Sequence, residues 1–178
     1  MTTFEQILYI VPVLALAASI TYYAMVIRNQ NKTQQMQTET RKANILMNLH
    51  SEWGKDEYQK ASWTVMALQY DDYDDFVKKY GPTTEYSELN HEIFKVCWFY
   101  NGLGSLVHKQ YASIDLVDEL FGYMVIWLWE ILKPIINESR IQYNQPQSLE
   151  WFEYLYNEIF KYRKRESSLI DEYMGDIP

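Results

Sequence analysis

The chain carries a single cysteine, Cys97, so it closes no intramolecular disulfide and builds no zinc knuckle from cysteines. That agrees with a reducing compartment. Glycine and proline are scarce, at six and five residues, and no low-complexity tract is present, which leaves little of the turn chemistry that an all-β fold needs. No repeat with a period of roughly 20 to 50 residues appears, which excludes a solenoid. Positive charge is short as well. Sixteen Lys and Arg stand against 24 Asp and Glu, and a net charge of -8 argues against a general nucleic-acid binder, which needs a dominant basic face. Also missing are a serine-nucleophile motif, a phosphate-cradling glycine loop and a dinucleotide fingerprint.

What the sequence does have is one long apolar run. Ile7 to Ile27 reads ILYIVPVLALAASITYYAMVI without a charged residue and is followed at once by Arg28. A bilayer core of roughly 30 Å needs about 20 apolar residues in a helix, so this run is long enough to cross it. Ten of its residues are Ile, Leu or Val. Each contributes about -0.3 to -0.6 kcal/mol at the centre of a span, and no charge opposes insertion. Pro12 falls in the first turns, where few backbone bonds are lost, and Tyr9, Tyr22 and Tyr23 lie towards the ends, where an amphipathic ring suits the interface. Thr2 and Glu5 form a capping-box pattern at the start. A cleaved signal peptide wants leading positive charge, whereas the only leading charge is Glu5. A buried core helix is the other explanation, but an apolar run of this length is hydrophobic on every face.

Arg28, Lys32, Arg41 and Lys42, opposed by Glu39 alone, follow the run. The positive-inside rule then expects the N-terminus outside and the main domain in the cytoplasm, in a single-pass protein of the cell membrane. Within the run, Ala15 and Ser19, and Ala17 and Thr21, fall four apart, a spacing that serves helix pairing and equally ordinary lipid-facing positions.

Beyond the run, about 150 residues remain, enough for one hydrophobic core. RNQNKTQQMQTETRK, residues 28–42, is a polar neck that either continues the helix or frays. Ala43, Leu46, Met47, His50 and Trp53 then make one apolar stripe, which Gly54 ends with a left-handed cap. Asp56 with Gln59 has a capping-box pattern for a helix carrying Tyr58, Ala61, Ser62, Val65, Met66 and Leu68 on one face, widened by Trp63. A short helix over Tyr73 to Tyr80 closes at Gly81 and Pro82. The longest amphipathic stretch, Thr84 to Gln110, keeps a helical beat through Leu89, Ile93, Val96, Tyr100 and Leu103, while Gly102, Gly104 and Ser105 thin one side for another helix to approach. Ser113 and Asp115 cap a short helix ending near Gly122. Tyr123 to Leu132, apolar except Glu130, is the expected central helix, kinked or broken at Pro134. The last helix is expected over Pro146 to Glu166, with Trp151, Leu155, Ile159 and Tyr162 on one side, before a loose tail.

Several of these segments together carry a resemblance: one anchor and its polar neck, Trp53, DDYDDF with KKYGP between Asp71 and Pro82, FYNGLGSLV at Phe99 to Val107, IDLVDEL at Ile114 to Leu120, IIN after WLWE, and WFEYLYNEI at Trp151 to Ile159. The chain resembles an uncharacterised domain-of-unknown-function family (4760 type) of single-anchor, membrane-bound helical proteins over nearly its whole length. The resemblance implies the architecture and brings no functional residues with it.

Candidate sites each have an ordinary explanation. Glu88 and His91 have the Glu-x-x-His spacing of a carboxylate-bridged metal site, but a bundle site needs a second copy, and the pair reads as solvated. His50 and His108 have no ligand-spaced neighbours. Asp71, Asp72, Asp74 and Asp75 offer oxygens to a hard cation, yet lack the loop spacing of a calcium hand and suit the start of the following helix. Cys97, between Val96 and Trp98, reads as a buried, inert thiol. The basic run Lys161 to Arg165 either complements a helix C-terminus, the favoured reading, or docks on anionic lipid.

The sequence therefore predicts an all-α protein with an anchor over 1–27, a neck over 28–42, a helical bundle over 43–166 and a loose tail over 167–178. No catalytic, cofactor or metal residue is assigned. The expected partners are the lipid bilayer, through Ile7 to Ile27, and a protein in or near the membrane, with no nucleic acid. The expected role is a non-catalytic interaction or accessory module. The alternatives are a membrane sensor relaying through the neck and an enzyme of unrecognised type.

Overall fold

A computed structural model describes the backbone of residues 3–175 and the side chains of residues 11–167. Among the described residues there are six helices and no strand: α1 (Thr3–Trp53), α2 (Asp56–Met66), α3 (Tyr73–Tyr80), α4 (Glu88–His108), α5 (Ile114–Gln142) and α6 (Glu150–Gly175). The chain divides into two compact units, Met1–Asn44 and Ile45–Pro178.

The first unit is helix α1 up to Asn44. Among the described helices α1 alone is long and apolar enough to cross a membrane, and none of its apolar window is buried. By length and composition it fits a membrane span, and an N-terminal signal sequence passes the same test. The hydroxyls of Ser19 and Thr21 donate to the carbonyls of Ala15 and Ala17, at 2.8 and 2.9 Å, so these small polar residues satisfy themselves on their own helix. Residues 28–42 are helical. The expected capping box lies outside the described side chains, which begin at residue 11.

The second unit is a bundle in which α6 packs on α4 and α5, α2 packs on α4 and α5, and α3 packs on α5. Its core is aromatic and continuous. Ring contacts at 5.1 to 6.2 Å run from Trp53 through Phe121, Phe99, Tyr100, Phe152, Trp129 and Tyr156 to Phe160. Each such pair contributes about 0.5–1.5 kcal/mol beyond the area it buries, which gives the abundant aromatic residues a structural task.

Several expected details change. In the last turns of α1, Leu46 is buried and His50 and Trp53 are half-buried, but Met47 and Ala43 face outward, so the stripe is narrower than its spacing implies. Gly54 follows the helix without a left-handed backbone, which among the glycines belongs to Gly81. Asp56 starts α2 as expected, but as its first helical residue it forms no capping box, and Gln59 instead reaches back to donate to the Trp53 carbonyl at 2.7 Å, satisfying the end of α1. Trp63 stands out from α2 at 64% exposure. The α6 backbone continues to Gly175, past the expected end at Glu166, because no glycine or proline interrupts residues 147–174. Residues 176–178 of the expected tail lie outside the described residues.

The largest correction is α5. The sequence predicts a short helix, a break near Gly122, a core helix and a kink or break at Pro134, whereas one helix of 29 residues runs through both positions. Gly122 is buried, and a Cβ there would meet the Asp118 carboxylate at 2.0 Å and the Arg163 guanidinium at 2.7 Å. It leaves room for the Asp118–Arg163 ion pair, closed at 2.7 Å across α5 and α6. Pro134 costs its helix about 3 kcal/mol. Leu132, Ile135 and Ile136 around it are buried to 3% exposure or less, and each contributes about 1.5–3 kcal/mol, so burial wins. Tyr70 also donates its hydroxyl to the Ile131 carbonyl, in the turn that the proline disturbs.

Candidate functional site

On α4, Ile93 and Cys97 are one helical turn apart and both face α5. The segment of α5 beyond Pro134 brings Ile135, Ile136 and Ser139 opposite them. After α5 the chain turns sharply, with positive φ at Asn144 (50°) and Leu149 (57°), and re-enters α6. Arg140 pins this turn. Its Nε donates to the Ser148 carbonyl at 2.8 Å and its Nη1 bonds Glu153 of α6 at 2.8 Å. Between α4, α5 and the turn lies a partly enclosed cavity of about 150 Å³.

The floor of the cavity is apolar, and Phe94, Trp98 and Tyr143 flank its mouth. Trp98 is 62% exposed and Tyr143 49%. Polar groups come from Thr83, Asn90, Ser139, Gln145 and Ser148. Asn90 is rigid, because its side-chain amide donates to the carbonyls of Pro82 (3.0 Å) and Glu85 (2.7 Å) and its backbone amide donates to Ser87 Oγ, the cap of α4. No carboxylate, amine, guanidinium or imidazole lines the cavity. Its titratable groups are Tyr143 and Cys97, and burial pushes the Cys97 thiol up to about 12. Such a site can hold an uncharged molecule and offers no acid–base pair.

An open groove continues from the mouth along Trp98, Gln145 and Ser148 to Asn101, Glu150 and Trp151. There Asn101 Oδ1 accepts from the amides of Trp151 and Phe152, and a Cβ on Gly104 would meet the Trp151 carbonyl oxygen at 1.9 Å. The FYNGLGSLV segment is thus where α4 seats α6, as the small residues predict. Gly102 has open space around it instead.

The sites considered from sequence fall apart from this cavity. Glu88 and His91 are exposed, and among the described residues no group of three or more metal-ligating side chains converges. Asp72 caps α3 by accepting from the Asp75 amide at 2.8 Å, and Asp75 in turn accepts from the Asp71 amide and from Lys79 Nζ. The Lys79 ammonium, then the Asp71 amide, holds the Asp75 carboxyl below its ordinary range. His108 is exposed, and its ring lies tilted against Trp151 at 4.3 Å between centroids. His50 lies against Trp53 and Phe121 at 5.7 and 5.9 Å. Lys161 to Arg165 lie inside α6 rather than at its C-terminus, which corrects the helix-end reading. Lys161 pairs with Glu158, Arg163 with Asp118, and Arg165 stands over the Tyr162 ring at 5.6 Å.

A second buried feature went unread in the sequence. Trp53 Nε1, Tyr58 Oη, Ser62 Oγ and Tyr100 Oη are buried in the aromatic core without a partner in hydrogen-bond geometry. They stand near enough to influence one another, and burial raises both tyrosine hydroxyls well above their ordinary value. The cavity was missed for a definite reason: a break at Pro134 detaches 135–139 from the core helix and hides that they face α4.

Comparison with curated proteins and with solved structures finds no match. A family model covers residues 11–159, which includes most of the apolar helix and all of the cavity, and the chain belongs to that family, described as a domain of unknown function (DUF4760).

Proposed function

We propose that this chain is a single-pass protein of the cell membrane, anchored through 7–27, whose helical bundle is a non-catalytic interaction or accessory module on the cytoplasmic side. The observation that carries the reading is the uncovered apolar surface of α1: Val13, Leu14, Leu16 and Ile20 are each more than 60% exposed, in a helix with no charge over that stretch. Leaving that much apolar surface in water is unfavourable, and a bilayer covers it. Arg28, Lys32, Arg41 and Lys42 support the orientation. Exposed rings on the bundle, among them Trp63, Trp98, Tyr123 and Trp127, support protein contact, because such side chains dominate binding hot spots.

The test is gentle solubilisation of the full-length protein from its native membrane, with mass spectrometry of what co-purifies stoichiometrically. A constant membrane protein in fixed ratio is the expected result. Recovery of the chain in the soluble fraction, or of a shortened chain lacking the apolar run, would sink the anchor. Recovery from the membrane alone or with copies of itself would sink the accessory role.

One observation favours a second reading, a relay through the neck: residues 28–42 are helical. Under that reading, inserting two glycines at Gln34 abolishes function while leaving partner binding intact. An accessory module tolerates the same insertion.

A further inference from the structure

The cavity between α4, α5 and the turn before α6 has the properties of a binding site for one particular class of group. We infer that it takes a single uncharged ring of about phenyl size. Three observations lead there. Its volume of about 150 Å³ is that of a cavity able to hold one benzene-sized molecule. Its walls carry no ionised side chain, so a charged ligand would lose its hydration without gaining a counter-charge. Its apolar floor, Ile93, Cys97, Ile135 and Ile136, is one on which a flat ring replaces weak contacts with close ones.

The site is also built, rather than a chance gap. Arg140 bonds both the turn and α6, and so holds the turn in place over the cavity. Asn90 is fixed by two carbonyls. Among the described residues no side-chain hydrogen bond engages Ser139, Tyr143 or Gln145, so their polar atoms are available at the mouth to a hydroxyl or carbonyl on the ring. The same ring chemistry arrives in two forms, as a free small molecule or as a side chain of a protein segment lying in the adjoining groove past Asn101 and Trp151. This inference does not depend on the membrane reading and survives its failure.

The test is a titration of full-length protein in lipid nanodiscs, with the isoleucine δ-methyls labelled for NMR. Phenol is the free probe and N-acetyl-phenylalaninamide the side-chain probe. The expected result is saturable shifts at Ile93, Ile135 and Ile136, with Ile159 in the remote core unmoved. In Ser139→Leu, whose larger side chain fills the mouth, the response weakens about tenfold or more, while an unchanged Ile159 signal reports an intact fold. Saturation with phenol alone supports a free ligand, and saturation with both probes supports a side chain. No saturable shift in the wild-type protein overturns the inference, whether or not the variant folds. Shifts spread evenly over all isoleucines, as partition into lipid would give, overturn it too.

Discussion

Asn101 Oδ1 on α4 accepts hydrogen bonds from the backbone amides of Trp151 at 3.1 Å and Phe152 at 3.3 Å, in the first turn of α6. A helix start leaves amides short of partners, and the local sequence QPQSL places no capping side chain on them; the Phe152 amide also reaches the Leu149 carbonyl at 3.2 Å, while for Trp151 another helix supplies the acceptor. Asn101→Ala is expected to destabilise the bundle by about 1–2 kcal/mol, whereas Asn101→Asp is expected to keep most of that stability because it keeps an acceptor. Urea unfolding of the two variants in nanodiscs, followed by tryptophan fluorescence, measures the difference.

Gly102 and Gly104 make opposite predictions from the same helix. At Gly104 a methyl group collides with the Trp151 backbone, which cannot move without shifting α6, and Gly104→Ala should cost about 1–3 kcal/mol. Gly102 has nothing within 4 Å of a Cβ, so Gly102→Ala gains helix propensity and stabilises by up to about 1 kcal/mol. Equal effects of the two substitutions on the unfolding midpoint would contradict the close approach.

Tyr70 donates to the Ile131 carbonyl beside Pro134. Tyr70→Phe removes only the hydroxyl and is expected to cost about 1 kcal/mol. Because the lost bond lies in the proline turn, hydrogen exchange should quicken at Ile135 and Ile136 more than at Val125 on the same helix. Uniform exchange along α5 would separate Tyr70 from the integrity of that turn.

Asp75 gives the start of α3 a pH dependence. Its carboxyl is depressed below 3.8, first by Lys79 and then by the Asp71 amide, so its contribution is present above the unfolded value and is lost as pH falls below it. Acid should therefore loosen α3 below about pH 4, and Asp75→Asn should flatten that response. Amide shifts of Asp71 and Asp75 across the acid range show whether it does.

Cys97 is buried on the cavity floor with its thiol pushed up to about 12. The thiolate is the reactive form, so native protein at pH 7 should resist alkylation by a bulky maleimide and react fully in urea. Fast labelling of the native protein would show that the cavity opens much more often than its enclosure implies.

Much of the fold was legible because it rests on local physics. An uncharged apolar run, a helical beat through Ile93, Val96, Tyr100 and Leu103, and the Gly81–Pro82 stop each act within a few residues, and the α3 bounds follow from them. Small residues in FYNGLGSLV announced a close approach, although not that Gly104 rather than Gly102 makes it. The cavity was not legible, because Pro134 has the same local cost in any sequence and only buried neighbours and Tyr70 decide whether the helix survives it. By itself the sequence determined an all-helical chain with one apolar helix long enough for a membrane, since periodicity and hydropathy are properties of the chain alone. Tertiary structure decided which helix caps α6, which glycine touches it and where 150 Å³ is left unfilled, since these depend on atoms far apart in sequence.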